Sequence, residues 1–131
     1  MNINTVPKPN WIEDTKLRFP LLFQGIDEYG FACGEGWRGI VVTLCEKLDA
    51  MGLRKLRVTQ IKEKFGDLRF YVQGGNDAVS DLIRQAEMKS STICELCGAP
   101  GHKHNNGWFL TLCEPCYATR KEEQRQYDDP S

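Results

Sequence analysis

The chain has 131 residues, 40% of them hydrophobic and 27% charged, with a net charge of −1. This composition is typical of one globular domain, or of one domain with a small appended module. The near-zero charge excludes a general attraction to nucleic acid or membranes. No apolar run reaches the ~20 residues that span a bilayer, and the N-terminus lacks the pattern of a secretory signal. We therefore expect a cytoplasmic protein whose cysteines stay reduced.

The N-terminal part of the chain predicts little regular structure. Residues 1–10 contain two prolines and few residues to bury, which indicates an extended arm. A helix can begin at Trp11, but Pro20 breaks it because proline lacks the N–H that a helix interior needs. The glycine-rich segment "FACGEGWRG", residues 31–39, is predicted to be a loop.

Two helices are predicted from the helical spacing of apolar residues. The first covers residues 37–51 and ends at Gly52, the glycine expected just after a helix C-terminus. The second covers residues 76–88, with Asn76 or Asp77 as its N-cap.

A β-hairpin is predicted between these helices. Apolar and polar residues alternate on both sides of "KFGD", residues 64–67, as expected for two strands joined by a short turn. Ile61 falls out of phase with the first strand, which predicts a bulge near Thr59–Gln60. The predicted fold class is therefore α+β, with a helix–β-hairpin–helix core in residues 11–91.

Four cysteines near the C-terminus have the spacing C-x2-C-x15-C-x2-C: Cys94, Cys97, Cys113 and Cys116. Two such pairs place four thiolates at the tetrahedral corners around one Zn²⁺, so the spacing strongly predicts a metal site. Redox-active pairs are disfavoured because the thioredoxin-like βαβ context is absent.

The residues around these cysteines predict the architecture of the module. "NNG" at 105–107 is typical of a turn, "WFLTL" at 108–112 of a strand, and the second cysteine pair opens a helical pattern. This order of knuckle, hairpin and helix looks like a treble-clef zinc finger. We therefore expect a zinc-binding module in residues 92–127 and a disordered tail in residues 128–131.

Other candidate ligands and nucleophiles are weaker. His102 and His104 could replace a cysteine, but four cysteines are already in register, so both histidines are interpreted as a polar hairpin tip. Cys45 lies on the buried phase of its helix, and Cys33 has no assignable base beside it. A closed four-cysteine site leaves no position for a reacting water, so we expect structural Zn²⁺ and no enzyme activity.

Three segments, "QIKEKFGDLRFYV", "AEMKSSTICELCGAPG" and "GWFLTLCEPC", resemble a group of small, uncharacterised proteins from bacterial and phage genomes. The resemblance covers roughly residues 37–117 and includes an IKEKFG-LRFY core and the cysteine-rich segment. It implies no known reaction. It implies a bacterial cell or a phage-infected host as the setting, in which small accessory proteins often bind and inhibit another protein.

The positive charge of the chain is concentrated in residues 53–73, which carry six Lys or Arg and two Asp or Glu. Basic groups interleaved with aromatic rings can bind phosphates, stack on bases or contact an acidic protein, although an ordinary solvated strand face is the simpler interpretation.

Trp37 and Trp108 either pack the module onto the core or contact a partner, and packing is the simpler interpretation for both.

The function predicted on these grounds is a non-catalytic, zinc-stabilised binding protein with a protein partner and no membrane contact. The alternative is a nucleic-acid or nucleotide binder that uses the basic hairpin. The candidate partner-binding residues are Arg57, Lys62, Lys64, Arg69, Tyr71 and Trp108.

Overall fold

The computed structural model describes residues 10–128, with side chains described as far as Glu123. Residues 1–9 of the predicted arm and 129–131 of the predicted tail lie outside the described residues. The described chain is α+β, as predicted. Its helices are α1 (Trp11–Arg18), α2 (Arg38–Ala50), α3 (Asp77–Ser90) and α4 (Glu114–Asp128), and its strands are β1 (Phe31–Ala32), β2 (Arg57–Lys64), β3 (Asp67–Gln73), β4 (His102–Asn105) and β5 (Phe109–Leu112).

Strands β2 and β3 form the predicted antiparallel hairpin. Their register shifts between Val58 and Gln60, which confirms the predicted bulge and allows Val58 and Ile61 both to be buried. The turn consists of Phe65 and Gly66, whose φ angles are 54° and 84°. A two-residue turn with positive φ at both positions matches the right-handed twist of the strands. Phe65 is an unusual residue for such a backbone.

A third strand lies where the sequence predicted only a loop. Within residues 31–39, β1 pairs in parallel with β2, with Phe31 opposite Ile61, so the sheet is mixed with the order β1–β2–β3. A strand of two residues is too short to produce an alternating pattern, and its partner is distant in sequence. The rest of the segment includes a 3-10 turn, Glu35–Trp37, which leads directly into α2.

The main core lies between the sheet and the first three helices. The buried stripe of α2 is the one that its spacing predicted, and Trp37, just before it, is fully buried. Asn76 caps α3 by accepting a hydrogen bond from Val79 N, and α1 ends before Pro20, as predicted. No helix in residues 10–128 combines the length and the apolar character that a membrane span requires.

The outer edge of β3 is covered by α3. Leu68 N donates to Ser90 Oγ, and Phe70 N donates to a carboxylate oxygen of Glu87, each at 3.0 Å. These bonds satisfy two N–H groups that an edge strand otherwise offers to another chain. Strand addition at this part of the edge is therefore disfavoured as a mode of binding.

The segment that carries the cysteines contacts the core closely at its start. Gly36 N donates to Glu95 O at 2.7 Å, and the indole N–H of Trp37 donates to Ile93 O at 2.9 Å. A Cβ at Gly36 would lie 2.1 Å from Cys94 O, so this position has no room for a side chain. The backbone of the first cysteine knuckle therefore rests directly on the loop before α2.

A second contact joins the β4–β5 hairpin to the tip of the β2–β3 hairpin. The buried Thr111 hydroxyl donates to Gly66 O, and Lys103 Nζ lies 2.9 Å from each carboxylate oxygen of Asp67. Residues 11–91 and 92–127 therefore meet along an interface that brings their two hairpin turns together.

Candidate metal centre and adjoining surface

The four predicted ligands, Cys94, Cys97, Cys113 and Cys116, come together at one point. Their sulfur atoms all lie within 4.8 Å of one another, and Cys97 Sγ is 3.6 Å from Cys113 Sγ. Tetrahedral Zn²⁺ with bonds of ~2.3 Å separates its sulfur ligands by about 3.8 Å, so the cluster fits one zinc ion. The separation of 3.6 Å also far exceeds the ~2.05 Å of a disulfide bond.

The first cysteine pair lies on a tight turn whose backbone stabilises negative charge on the Cys94 sulfur. Gly98, with a φ of 82°, closes the turn, and its N–H donates to Cys94 O at 3.0 Å. Burial alone would raise the pKa of the Cys94 thiol, but backbone N–H groups of Cys113, Cys97 and Leu96 lower that pKa to about 6. The Cys94 side chain is therefore mainly thiolate at neutral pH, the form that binds metal.

The second cysteine pair lies at the start of α4. Cys113 directly precedes Glu114, the first residue of the helix, and Cys116 lies in the first turn, where Tyr117 N donates to Cys113 O at 3.0 Å. The partial positive charge of a helix N-terminus stabilises nearby thiolates. Knuckle, hairpin and helix thus follow one another in the order that the sequence predicted.

The two histidines do not form the polar hairpin tip that was predicted for them. Both belong to β4, where His104 pairs with a residue of β5 and is buried. The His104 ring stacks on Tyr117 at 3.8 Å between centroids, and its Nε2 lies 3.1 Å from Leu112 O. His102 is exposed, and a 2.6 Å hydrogen bond with Glu114 raises its pKa. Tyr117 of α4 covers His104, and a contact of this kind cannot be read from the residues around the histidines.

Two of the four predicted basic residues are engaged within the protein. Arg57 donates to two backbone carbonyl oxygens and to the Gln24 side chain. Arg69 lies between two carboxylates, 3.9 Å from Asp67 and 4.0 Å from Glu87. Because these contacts occupy both guanidinium groups, the two arginines are weaker candidates for binding a partner than the lysines.

The predicted lysines and Tyr71 remain accessible on the hairpin. Lys62 Nζ lies 5.8 Å from the centroid of the Tyr71 ring, and Lys64 Nζ lies 5.7 Å from that of Phe65. Both distances fall within the range of a cation–π interaction. Among the described side chains, neither lysine forms an ion pair with a carboxylate.

Trp108 does not pack the module onto the core. Its side chain is 70% exposed, whereas Trp37 is fully buried, as predicted. Trp108 instead borders a groove of about 370 Å³ between the two hairpin turns, in which Phe65 meets Phe109 edge-on with ring centroids 6.4 Å apart. We call this the turn groove, and it is lined by Glu63, Lys64, Phe65, Gly107, Trp108 and Phe109.

The predicted site residues did not include Phe65, Phe109 or Lys103, which lie at or beside the turn groove. Phe65 and Phe109 line it, and Lys103 Nζ lies 6.0 Å from the centroid of the Phe109 ring. The motif "KFGD" carried a usable signal, because a phenylalanine in a two-residue hairpin turn has no core to enter. Phe109 and Lys103 reach the turn groove only because the two hairpins dock, and no local sequence pattern predicts that docking.

The remaining cysteines, Cys33 and Cys45, have raised pKa values. Burial raises the pKa of Cys33 to about 12, with a further contribution from the nearby charge of Glu95. Burial likewise raises the pKa of Cys45 to about 12. Both side chains therefore stay protonated at neutral pH, and the thiol form is unreactive.

Comparison of the chain with protein-family models, with curated proteins and with solved structures finds no match. The resemblance to bacterial and phage proteins therefore stays a prediction from the quoted segments.

Proposed function

We propose that this chain is a non-catalytic binding protein, stabilised by a structural zinc ion, whose partner is an acidic protein. The observation that carries the proposal is the turn groove, where exposed aromatic rings and a lysine lie side by side. A metal ion held by all four cysteines has a filled tetrahedral shell, which suits a structural role and leaves no position for a substrate.

The aromatic rings of the turn groove contribute little to the core. Phe65 is 63% exposed, Trp108 70% and Phe109 39%. Burying apolar surface stabilises a fold by about 25 cal/mol per Å², so these exposed rings contribute less free energy to folding than buried rings would. Clustered rings of this kind are typical of protein interfaces, in which a few aromatic anchors supply most of the binding free energy.

The backbone of Phe65 supports the same proposal. An L-residue in the left-handed conformation costs roughly 1–2 kcal/mol, and Asn or Gly would occupy this turn with less strain. Strained positions of this kind concentrate at functional sites, where another requirement outweighs stability. The requirement we infer is a rigid aromatic ring at the edge of the groove.

The charges favour an acidic partner. Lys64 lies in the turn groove, and Lys62 lies on the same hairpin. Lys103 also lies near Phe109, but its charge is paired with Asp67. The whole chain nevertheless has a net charge of −1. Nucleic-acid-binding proteins usually carry an overall positive charge, so a local acidic patch on a protein is the better match.

Zinc has an indirect role in this proposal. Trp108 and Phe109 lie on the hairpin between the two cysteine pairs. Among the side chains described as far as Glu123, the apolar cluster of this module has three buried members, Cys94, Leu112 and Cys113. So small a cluster does not hold a fold by itself, and metal binding supplies the missing free energy. Loss of zinc would therefore separate Trp108 from Phe65.

A nucleic acid or nucleotide is the second candidate ligand. Bases stack on exposed aromatic rings while lysines contact phosphates, and the turn groove offers both groups.

The resemblance to bacterial and phage proteins supports a cytoplasmic setting for either ligand, and it suggests that the chain inhibits a host or defence protein.

Affinity capture from bacterial lysate, with and without nuclease, tests the proposal. We expect wild type to retain an acidic protein in both arms and the Trp108→Ala variant to lose it. Tyr29→Ala is the matched control, because Tyr29 is 81% exposed but does not line the groove. Capture that disappears with nuclease would assign a nucleic-acid ligand, and equal capture by Trp108→Ala would exclude the groove.

A further inference from the structure

We propose that His102, His104 and Glu114 form a second metal site, which takes a borderline divalent cation such as Zn²⁺, Co²⁺ or Ni²⁺. This site is distinct from the four cysteines and does not depend on the proposed function. Each of the three residues can offer one ligand atom, and these atoms lie within 4.8 Å of one another.

The secondary structure brings the three side chains to one place. His102 and His104 are two residues apart on β4, so both point to the same face, and their ring centroids are 4.2 Å apart. Glu114 is the first residue of α4, and its carboxylate oxygen lies 2.6 Å from His102 Nε2. A strand and a helix start thus supply a compact set of donors.

His104 has the kind of backbone hydrogen bond that metal-binding histidines often make. Its ring is buried against Tyr117, and its Nε2 lies 3.1 Å from Leu112 O. A carbonyl oxygen only accepts hydrogen bonds, so Nε2 carries a proton, and Nδ1 is the nitrogen that a neutral ring would offer to a metal. Metal-binding histidines characteristically donate their second N–H to such a backbone carbonyl, which fixes the ring.

The donor set determines the class of ion. Two imidazoles and one carboxylate suit Zn²⁺, Co²⁺ and Ni²⁺ and are poor ligands for Mg²⁺ or Ca²⁺, which prefer oxygen. The side chains of His102 and Glu114 are 61% and 72% exposed, so a cation in solution can reach them. At such exposure the ion pair between them adds little to stability and does not account for the arrangement by itself.

Cobalt titration of the zinc-loaded protein tests this site. We expect one Co²⁺ to bind per chain with visible d–d absorption but without the sulfur-to-cobalt charge-transfer band that cysteine ligands produce. His102→Ala and Glu114→Gln should each weaken binding by about tenfold or more, since each removes one donor. Glu123→Gln alters another exposed carboxylate of α4 and should leave the affinity unchanged.

Glu114→Gln keeps the size of the side chain, so it separates loss of a ligand from loss of the fold. Its zinc content and circular dichroism should equal those of wild type. The proposal is overturned if wild type binds no additional cobalt, if both ligand variants bind as tightly as wild type, or if a charge-transfer band reports that cobalt has displaced zinc from the cysteines instead.

Discussion

The fully buried hydroxyl of Thr111 donates a hydrogen bond to the carbonyl oxygen of Gly66. This bond connects the β4–β5 hairpin to the tip of the β2–β3 hairpin, one residue away from Phe65. The turn groove therefore exists only while the two hairpins stay docked. The stability of the groove and the proposed binding activity both depend on the contact between these hairpins.

Thr111→Val should separate these hairpins at small steric cost. The substitution keeps the shape of the side chain but leaves Gly66 O without its partner, which typically costs about 1–3 kcal/mol. Urea unfolding should show this loss in the free energy of unfolding. Thr119→Val, which removes an exposed hydroxyl from α4, should change it by less than about 0.5 kcal/mol. An equal effect of the two variants would contradict the role assigned to Thr111.

Wild-type protein should contain one zinc ion per chain, and Cys97→Ser should lose it during dialysis. Structural zinc sites bind with apparent free energies of ~10–16 kcal/mol at pH 7, so wild type should retain its metal. Cys33→Ser is the matched control, because Cys33 lies outside the four-sulfur cluster. Elemental analysis gives the stoichiometry. Hydrogen exchange should show residues 92–117 of Cys97→Ser unprotected while α2 and the β2–β3 hairpin remain protected.

Phe65→Asn should stabilise the protein and weaken partner binding together. Asn adopts positive φ more readily than Phe, which should raise the free energy of unfolding by about 1 kcal/mol. The same change removes one ring of the turn groove. Urea unfolding and the affinity for the captured partner measure the two effects. Weaker binding without any gain in stability would mean that the backbone of Phe65 is not strained.

Charge reversal should distinguish the lysines from the arginines of the hairpin. Lys62→Glu should slow association with an acidic partner, most strongly at low salt, and leave stability nearly unchanged. Arg69→Glu should instead lower the free energy of unfolding by about 0.5–1 kcal/mol, because it places a third carboxylate beside Asp67 and Glu87. Association kinetics across a salt series, with urea unfolding of both variants, gives the comparison. Equal kinetics for Lys62→Glu and wild type would remove the hairpin from the interface.

Alkylation should spare Cys33 and Cys45 in the folded protein. A thiol with a pKa of about 12 is ionised in only about one molecule in 10⁵ at pH 7, so the reactive thiolate is scarce. Because each pKa is raised, labelling should accelerate about tenfold per pH unit below 12 while the fold persists. Iodoacetamide labelling with mass spectrometry measures this, and urea-unfolded protein is the control. Fast labelling of Cys33 at neutral pH would contradict its burial.

Local patterns predicted the elements whose causes are themselves local. The cysteine spacing identified Cys94, Cys97, Cys113 and Cys116, and the phase error at Ile61 predicted the bulge before it. Helices α2 and α3 followed from their apolar stripes. In each of these cases, residues close together in the chain determine the outcome.

The features that sequence reasoning missed depend on distant contacts. Strand β1 exists because Phe31 pairs with Ile61, which no two-residue pattern can indicate. The burial of His104 requires Tyr117 to stack on it from α4. The exposure of Trp108 follows from the docking of two hairpins that lie far apart in the chain. These outcomes are set by tertiary packing, which overrides local preference.

The close approach of Gly36 to the backbone of Cys94 limits how readily the cysteine-rich segment could be moved to another protein. A recombination event that carried residues 92–127 to a new scaffold would leave behind both the glycine that makes room for the knuckle and the indole that caps Ile93 O. The transplanted segment would keep all four sulfur ligands. It would lose the contacts with Gly36 and Trp37 on which the turn of the first two cysteines packs. The cysteine-rich segment and the loop before α2 should therefore be inherited together, and a recombination event that exchanges only one of them should be disfavoured.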